Sequence, residues 1–317
     1  MNLFDPRARR AALRAAVMAC AVVTTGSCAD DDRLGPPSDL VPGTPEQAAA
    51  STASGIMFAS FALKPAQLTT VHTGIVGPSS PSQLRDYLSQ VRARGGRVLV
   101  RLAPDGQVKN ADGTFNLTKY KAALDRYRNI DFAAYIADGT MVGHFVLDEP
   151  QFPSRWGGTV IPQATVEAAA RHSKQLWPTL PTIVNAPAQW LAASTVTYTH
   201  LDAGWAMFRA GAGSSPTRWA ANQVSKAQSK GLGLFAGLNV LDGGDGSSGF
   251  RGNYPQKWAM SALELRTYGS ALLAQSYVCG FGMWEYRPAY YDRADIRSAM
   301  ADLSAKARSH ARTSCRQ

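Results

Sequence analysis

From Gly55 to His310 short apolar runs alternate with stretches of helical spacing, and no other feature of this sequence narrows its fold so far. Gly55–Phe61 is the first candidate strand and Val71–Gly77 a weaker second one. Leu84, Leu88 and Val91 recur at helical spacing within 82–94, and Gly95-Gly96 closes that helix. Arg97–Ala103 reads as a strand, and 117–137 as helix in two pieces. Gly143–Glu149 is the next strand, ended by Pro150, which has no N–H for a further rung. Helix 162–177, strand 181–186, a short helix near Trp190 and strand 203–208 follow. Helix 217–230, strand 232–240, helix 261–274 with Ser261 and Glu264 as a capping box, strand 278–285 and helix 292–310 complete the series. Strand then helix, repeated seven or eight times, predicts an α/β protein: a (β/α)8 TIM barrel over 54–317, with an irregular first strand or a missing strand as the variant. A doubly wound open sheet is disfavoured, because no early strand is followed by a glycine-rich phosphate fingerprint. Asp242–Gly249 is glycine-rich, lacks a lysine and reads as a flexible rim loop.

Of the 317 residues 45% are hydrophobic and 18% charged, ample for a folded core. The net charge is +10, of which residues 1–27 carry +3 through Arg7, Arg9, Arg10 and Arg14 against Asp5. The remaining basic residues are scattered, so nucleic-acid binding is not expected. Four cysteines without a CxxC pair and five histidines argue against structural zinc. No cofactor or metal is expected, and a monomer is.

The N-terminus has a basic region followed by the apolar run 15–25, too short to span a bilayer. Thr25-Gly26-Ser27-Cys28 resembles a bacterial lipobox, which implies cleavage before Cys28 and lipidation of its thiol. Val17-Met18-Ala19-Cys20 is a rival, an ordinary secretory signal is the alternative, and Arg9-Arg10 raises the twin-arginine route. On this reading 1–27 is a lipoprotein-type signal peptide and 28–53, rich in Asp, Pro, Gly, Ser and Ala, a disordered tether. The protein is then exported and lipid-anchored in the cell envelope, or secreted. In such a compartment Cys279 and Cys315 can form a disulfide, while Cys279 can equally be a small buried residue.

In a barrel all strand carboxyl ends share one rim, where ligands bind. That rim collects Arg101, Asp148, Glu149, Asn185, Arg209, Asn239, Asp242, Trp284, Glu285 and Tyr286. Each has a structural explanation by itself: Asp148 as a cap, Arg101 as a partner for Glu149, Asn239 as a turn residue. Their convergence is what points to a site. Two carboxylates facing each other can divide acid and base work, as in glycoside hydrolysis. Trp284 and Tyr286 flank Glu285, with Trp156, Trp190 and Trp205 as further rim aromatics suited to a sugar face. Trp177, Trp219 and Trp258 read as packing residues.

Asp148-Glu149-Pro150 resembles the Asn-Glu-Pro of clan A glycoside hydrolases, and Trp284-Glu285 resembles their nucleophile strand. The segment 55–310 also resembles bacterial lipoproteins with a glycosidase-like barrel. The resemblance implies Glu149 as acid/base and Glu285 as nucleophile, with a carbohydrate as substrate. Two departures stand out. Asp148 replaces the asparagine that holds the sugar 2-hydroxyl in the family. Three strands, not two, separate the glutamates, placing Glu285 on strand eight if Glu149 is on strand four. Asp242, on the preceding strand, is the reserve partner. Arg101, Asp148, Asn185, Arg209, Asn239, Trp284 and Tyr286 are the expected substrate-binding residues. A non-catalytic carbohydrate-binding barrel and a metal-assisted hydrolase using Asp148, Glu149 and Asp242, with His144 contributing, are the alternatives.

Overall fold

The computed structural model describes residues 54–78, 80–213, 215–311 and 314–315. The expected leader, the lipidation site Cys28 and the tether lie outside the described residues. Among those described, eight parallel strands close into a barrel in sequence order, the last pairing with the first. The strands are β1 (Met57–Phe61), β2 (Gly74–Pro78), β3 (Arg97–Arg101) and β4 (Met141–Asp148). β5 (Thr182–Asn185), β6 (Ala203–Phe208), β7 (Gly233–Leu238) and β8 (Val278–Met283) complete the ring. Between them lie α1 (Leu84–Ala93), α2 (Leu117–Asp125), α3 (Ala133–Ala137), α4 (Gln163–Leu176) and α5 (Ala188–Ala192). α6 (Pro216–Gln228), α7 (Ala262–Leu273), α8 (Pro288–Tyr291) and α9 (Ala294–Arg308) follow. This is the expected (β/α)8 barrel with no strand missing. The capping box forms as expected: Ser261 N–H donates to Glu264 Oε2 at 2.8 Å while Glu264 N–H donates back to Ser261 Oγ at 3.3 Å.

The irregularity of the first unit lies in its connection. β1 and β2 are joined through a single 3-10 turn, Pro65–Gln67, where later units have α-helix. The last helix covers this gap. Ser304 Oγ donates to Val71 O at 2.8 Å, Arg308 donates to Thr70 O at 2.7 Å, and Ile56 N–H donates to Ala307 O at 3.0 Å.

Strand periodicity sorts the core into two compartments. One fills the space between barrel and helices, with Leu88, Val98, Val166 and Leu303 among its members. The other fills the barrel and includes Met57, Phe61, Leu99, Phe145, Trp205 and Phe235. Trp205 stacks on Phe61 with centroids 5.0 Å apart and meets Phe145 and Phe235 at 5.8 and 4.9 Å. β8 makes room for this cluster: a Cβ on Gly280 or Gly282 would lie 2.2 Å from the ring of Phe235 or Trp205. Rings this large fit a narrow barrel only against strands without side chains at those positions.

At the amino ends of the strands the tail returns. Cys315 is disulfide-bonded to Cys279 of β8, and both are buried in the barrel cluster. A Cβ on Gly233, the first residue of β7, would lie 2.8 Å from Cys315 O, so the tail lies flush against the barrel foot.

Candidate active site

β4 delivers the centre of the site. Its last residue, Asp148, is in register with Asn185, the last residue of β5. The register lets Asn185 Nδ2 donate to Asp148 Oδ1 at 2.7 Å, with both side chains buried. Glu149 follows in the left-handed region at φ +50°, a conformation that costs a non-glycine residue of order 1–3 kcal/mol. Its surroundings enforce it. Glu149 N–H donates to Asn185 O at 3.0 Å, and Trp156 Nε1–H is shared between Asp148 O and Glu149 O, 3.2 Å from each. Trp156 is fully buried, so both of these contacts are shielded from water.

Arg155 binds three carboxylates at once. Its Nε and Nη2 lie 3.0 and 2.8 Å from Asp105 Oδ2, Nη2 also donates to Asp148 Oδ2, and Nη1 lies 3.4 Å from Glu149 Oε2. Asp105 in turn accepts from Arg101, whose guanidinium sits 5.7 Å over the Phe145 ring. Arg101 therefore pairs with Asp105 and not with Glu149, correcting the pairing weighed for it. Burial, the first cause, and the neighbouring charge of Asp148 raise the Glu149 pKa above its ordinary value, Arg155 opposes the rise, and Asp105 adds to it. Burial works against the Arg155 cation, but Asp148, Asp105 and Glu149 together lift its pKa above the usual arginine value. The result is a half-buried glutamate that holds its proton more tightly than a solvated one.

A second network lies at β7 and β8. Glu285 follows β8 after Trp284, across a cis peptide bond. Its Oε1 is 3.5 Å from Asn253 Nδ2. Asp242, four residues beyond β7, accepts at Oδ1 from the N–H groups of Asn253 (2.6 Å) and Tyr254 (3.1 Å). Asp242 N–H donates to Asn239 Oδ1 at 3.3 Å. The two networks stand opposite each other, because β4 and β8 are four strands apart in a ring of eight. Between them the floor is aromatic, with Trp284 edge-on to Phe61 at 4.9 Å.

The structure thus places all ten sequence-predicted residues at or just beyond strand carboxyl ends, and joins most of them in these two networks. Arg209 is exposed after β6 and belongs to neither. Tyr286 turns its ring to His72 and Tyr291, at 5.4 and 4.9 Å. His144 is fully buried between β4 and the helices, its Nδ1 2.8 Å from Ser173 Oγ, which corrects its expected place at the rim. Trp205 is inside the barrel and Trp156 is the clamp beneath Glu149, so neither is the exposed rim aromatic expected. Trp258 lies in the β7–α7 connection, with the Arg251 guanidinium 3.7 Å over its ring. Among the described residues no group of three or more His, Cys, Asp or Glu is arranged to hold a metal ion. Sequence reasoning missed Arg155, Asp105 and Asn253. Pro104-Asp105-Gly106 reads only as a turn, and Arg155 has no signal beyond lying six residues after Glu149.

No family model matches this chain, and no curated protein matches it by sequence. Solved structures similar to it include ScGas2 in complex with compound 8, at TM-score 0.51 and 13% identity over 82% of this chain. Saccharomyces cerevisiae Gas2p in complex with laminaripentaose aligns at TM-score 0.50 and 13% identity over 81% of this chain. The matched region spans 65% and 66% of those chains, just under two thirds of their length. At such identity the likeness is one of fold.

Proposed function

We propose that this barrel is a glycoside-hydrolase-like enzyme in which Glu149 is the proton donor. The observation that carries the reading is Glu149 itself: half-buried, clamped in the left-handed region, its pKa raised, and fixed at the carboxyl end of a barrel strand. A general acid must keep its proton until the leaving oxygen needs it, and burial beside Asp148 favours that state. Glu285 is the second carboxylate. It stands opposite Glu149 across the barrel mouth, where a pair of carboxyl groups can divide the acid and base or nucleophile roles. Asp242 we assign to holding the loop that carries Asn253, since its Oδ1 already accepts two backbone N–H groups. The oligosaccharide bound by the similarly folded Gas2p supports a carbohydrate substrate. The Cys279–Cys315 disulfide supports an exported protein, since such bonds persist in oxidising compartments.

One observation favours a second reading, a non-catalytic carbohydrate-binding barrel. Both oxygens of Asp148 are engaged, one by Asn185 and one by Arg155, so this position is already committed to the protein's own donors. A panel of aryl glycosides and oligosaccharides, assayed with wild type, Glu149→Gln and Glu285→Gln, separates the two. Turnover by wild type that both variants lose supports the enzyme, and the anomer first released reports inversion or retention. Binding without turnover in all three supports the binding barrel. Turnover that survives Glu149→Gln removes Glu149 from the chemistry.

A further inference from the structure

The connection from β7 to α7 contains a folded element at the mouth. Ala259 N–H donates to Phe250 O at 3.0 Å, Gly252 N–H to Lys257 O at 2.9 Å, and Lys257 N–H to Tyr254 O at 3.1 Å. Arg251 and Trp258 pair antiparallel, and the Arg251 guanidinium over the indole ties the two arms together. Residues 251–258 are therefore a small hairpin. Its tip is not left to solvent alone. The buried Asp242 carboxylate draws in the N–H groups of Asn253 and Tyr254, two charge-assisted bonds to one oxygen. The approach is so close that a Cβ on Gly252 would lie 2.5 Å from Asp242 Oδ1.

The anchoring has two consequences for the mouth. Asn253 Nδ2 comes to 3.5 Å from Glu285 Oε1, and Tyr254, next in sequence, is held 62% exposed. A single exposed ring is ordinary on a protein surface, but this one is carried by a tip tied to a site carboxylate, next to the residue that reaches Glu285. A pyranose ring presents a flat face of C–H groups that packs against a phenol ring while its hydroxyls stay solvated. We propose that the hairpin is the wall of a sugar subsite on the Glu285 side, with Tyr254 stacking on a pyranose ring and Asn253 positioning the Glu285 carboxylate. The inference rests on the carbohydrate reading above and adds to it a residue that selects for chain length.

The test uses the full, disulfide-bonded protein and laminari-, cello-, malto- and chito-oligosaccharides of two to five units. Binding is measured by calorimetry in the Glu149→Gln background, so that turnover does not intervene. Tyr254→Ala is expected to weaken the best-bound oligosaccharide about fivefold to tenfold, and Tyr254→Phe, which keeps the ring, by no more than about twofold. In the protein with Glu149 intact, Asn253→Ala is expected to lower kcat about tenfold with KM little changed, the signature of a group that positions another. Tyr254 is exposed, so its replacement leaves the fold in place. Unchanged binding by Tyr254→Ala, with the Glu149→Gln protein still binding sugar, overturns the hairpin proposal and leaves the carbohydrate reading standing. If the Glu149→Gln protein binds none of these sugars and wild type turns none over, both are overturned together.

Discussion

At the carboxyl ends of the strands, Asp105, Asp148 and Glu149 crowd around the Arg155 guanidinium, and Glu149 is forced to a positive φ. At the amino ends, Cys315 is bonded to Cys279 and belongs to the buried cluster that includes Met57, Ala203 and Phe235. The mouth keeps charge poised at a cost in backbone conformation and desolvation, whereas the foot is sealed by a covalent bond and apolar contact. Such a division lets one end be tuned for chemistry while the other holds the ring closed. It also predicts that injuries at the two ends differ in kind: activity lost without stability above, stability lost without specific activity below.

The sharpest way to break that contrast is Glu149→Gln. Turnover is expected to fall about 100- to 10,000-fold, the usual worth of general acid catalysis, with the denaturant midpoint at neutral pH unchanged or raised. The sign follows from the raised pKa: a carboxyl held above its ordinary value stabilises the fold when protonated and loses that contribution as pH rises through the folded value. Above that folded value an ionised Glu149 is a burden that glutamine removes. A fall in stability instead would mean that Glu149 is a structural ion.

Next in size is the foot. Cys279→Ala with Cys315→Ala opens a loop with a sequence separation of 36 residues, and is expected to cost about 3–4 kcal/mol in urea unfolding. Turnover per folded molecule should not change. Coupled loss of both would show that the tail supports the mouth.

The wall between the ends supplies a third test. His144 lies on β4, the strand that ends just before Glu149, but is buried toward Tyr120, Trp177 and Ser173, and burial lowers its pKa to about 3. Its contribution is complete above the unfolded value near 6.5 and is lost as pH falls from there toward 3. The expected loss is about 3 kcal/mol by pH 4. His72, lowered to about 4 mainly by burial, acts in the same direction. Urea midpoints at pH 7 and pH 4 for wild type and His144→Gln check this: the pH dependence of the variant should be shallower. Equal slopes would remove His144 from acid denaturation.

The smallest expected effect is a displacement. Arg155→Gln removes the cation that opposes the raised pKa of Glu149. A general acid works while protonated, so the alkaline limb of kcat/KM should move to higher pH, and Arg155→Lys should restore part of the position. A limb that stays in place would assign it to another group.

Much of the barrel was legible because its strands announce themselves. Alternation and continuous apolar runs depend on residues a few positions apart, and the run 203–208 coincides with β6 residue for residue. Glu149 was legible for the same reason, since strand, proline and rim position lie within eight residues. Its partners were not. Arg155 meets Asp105 across 50 positions, and Asn253 meets Glu285 across 32. The hold of Asp242 on the hairpin was not legible, because its Oδ1 carries no mark in sequence of the two backbone N–H groups it accepts. Asp242–Gly249 looked like slack chain because the hairpin that follows is held by distant groups. Chemistry at a rim is a property of side chains arriving from separate strands, and local pattern does not encode arrival.

The short first connection has a bearing on how the molecule comes into being. β1 and β2 emerge early from the ribosome without a helix of their own to cover them. Their cover is α9, whose Ser304 and Arg308 bond to Val71 and Thr70 across 233 and 238 positions. At ordinary elongation rates that cover arrives on the order of 10–50 s later. The nascent chain therefore carries an uncovered first connection until α9 is made, even though β8, the strand that closes the ring, precedes that helix.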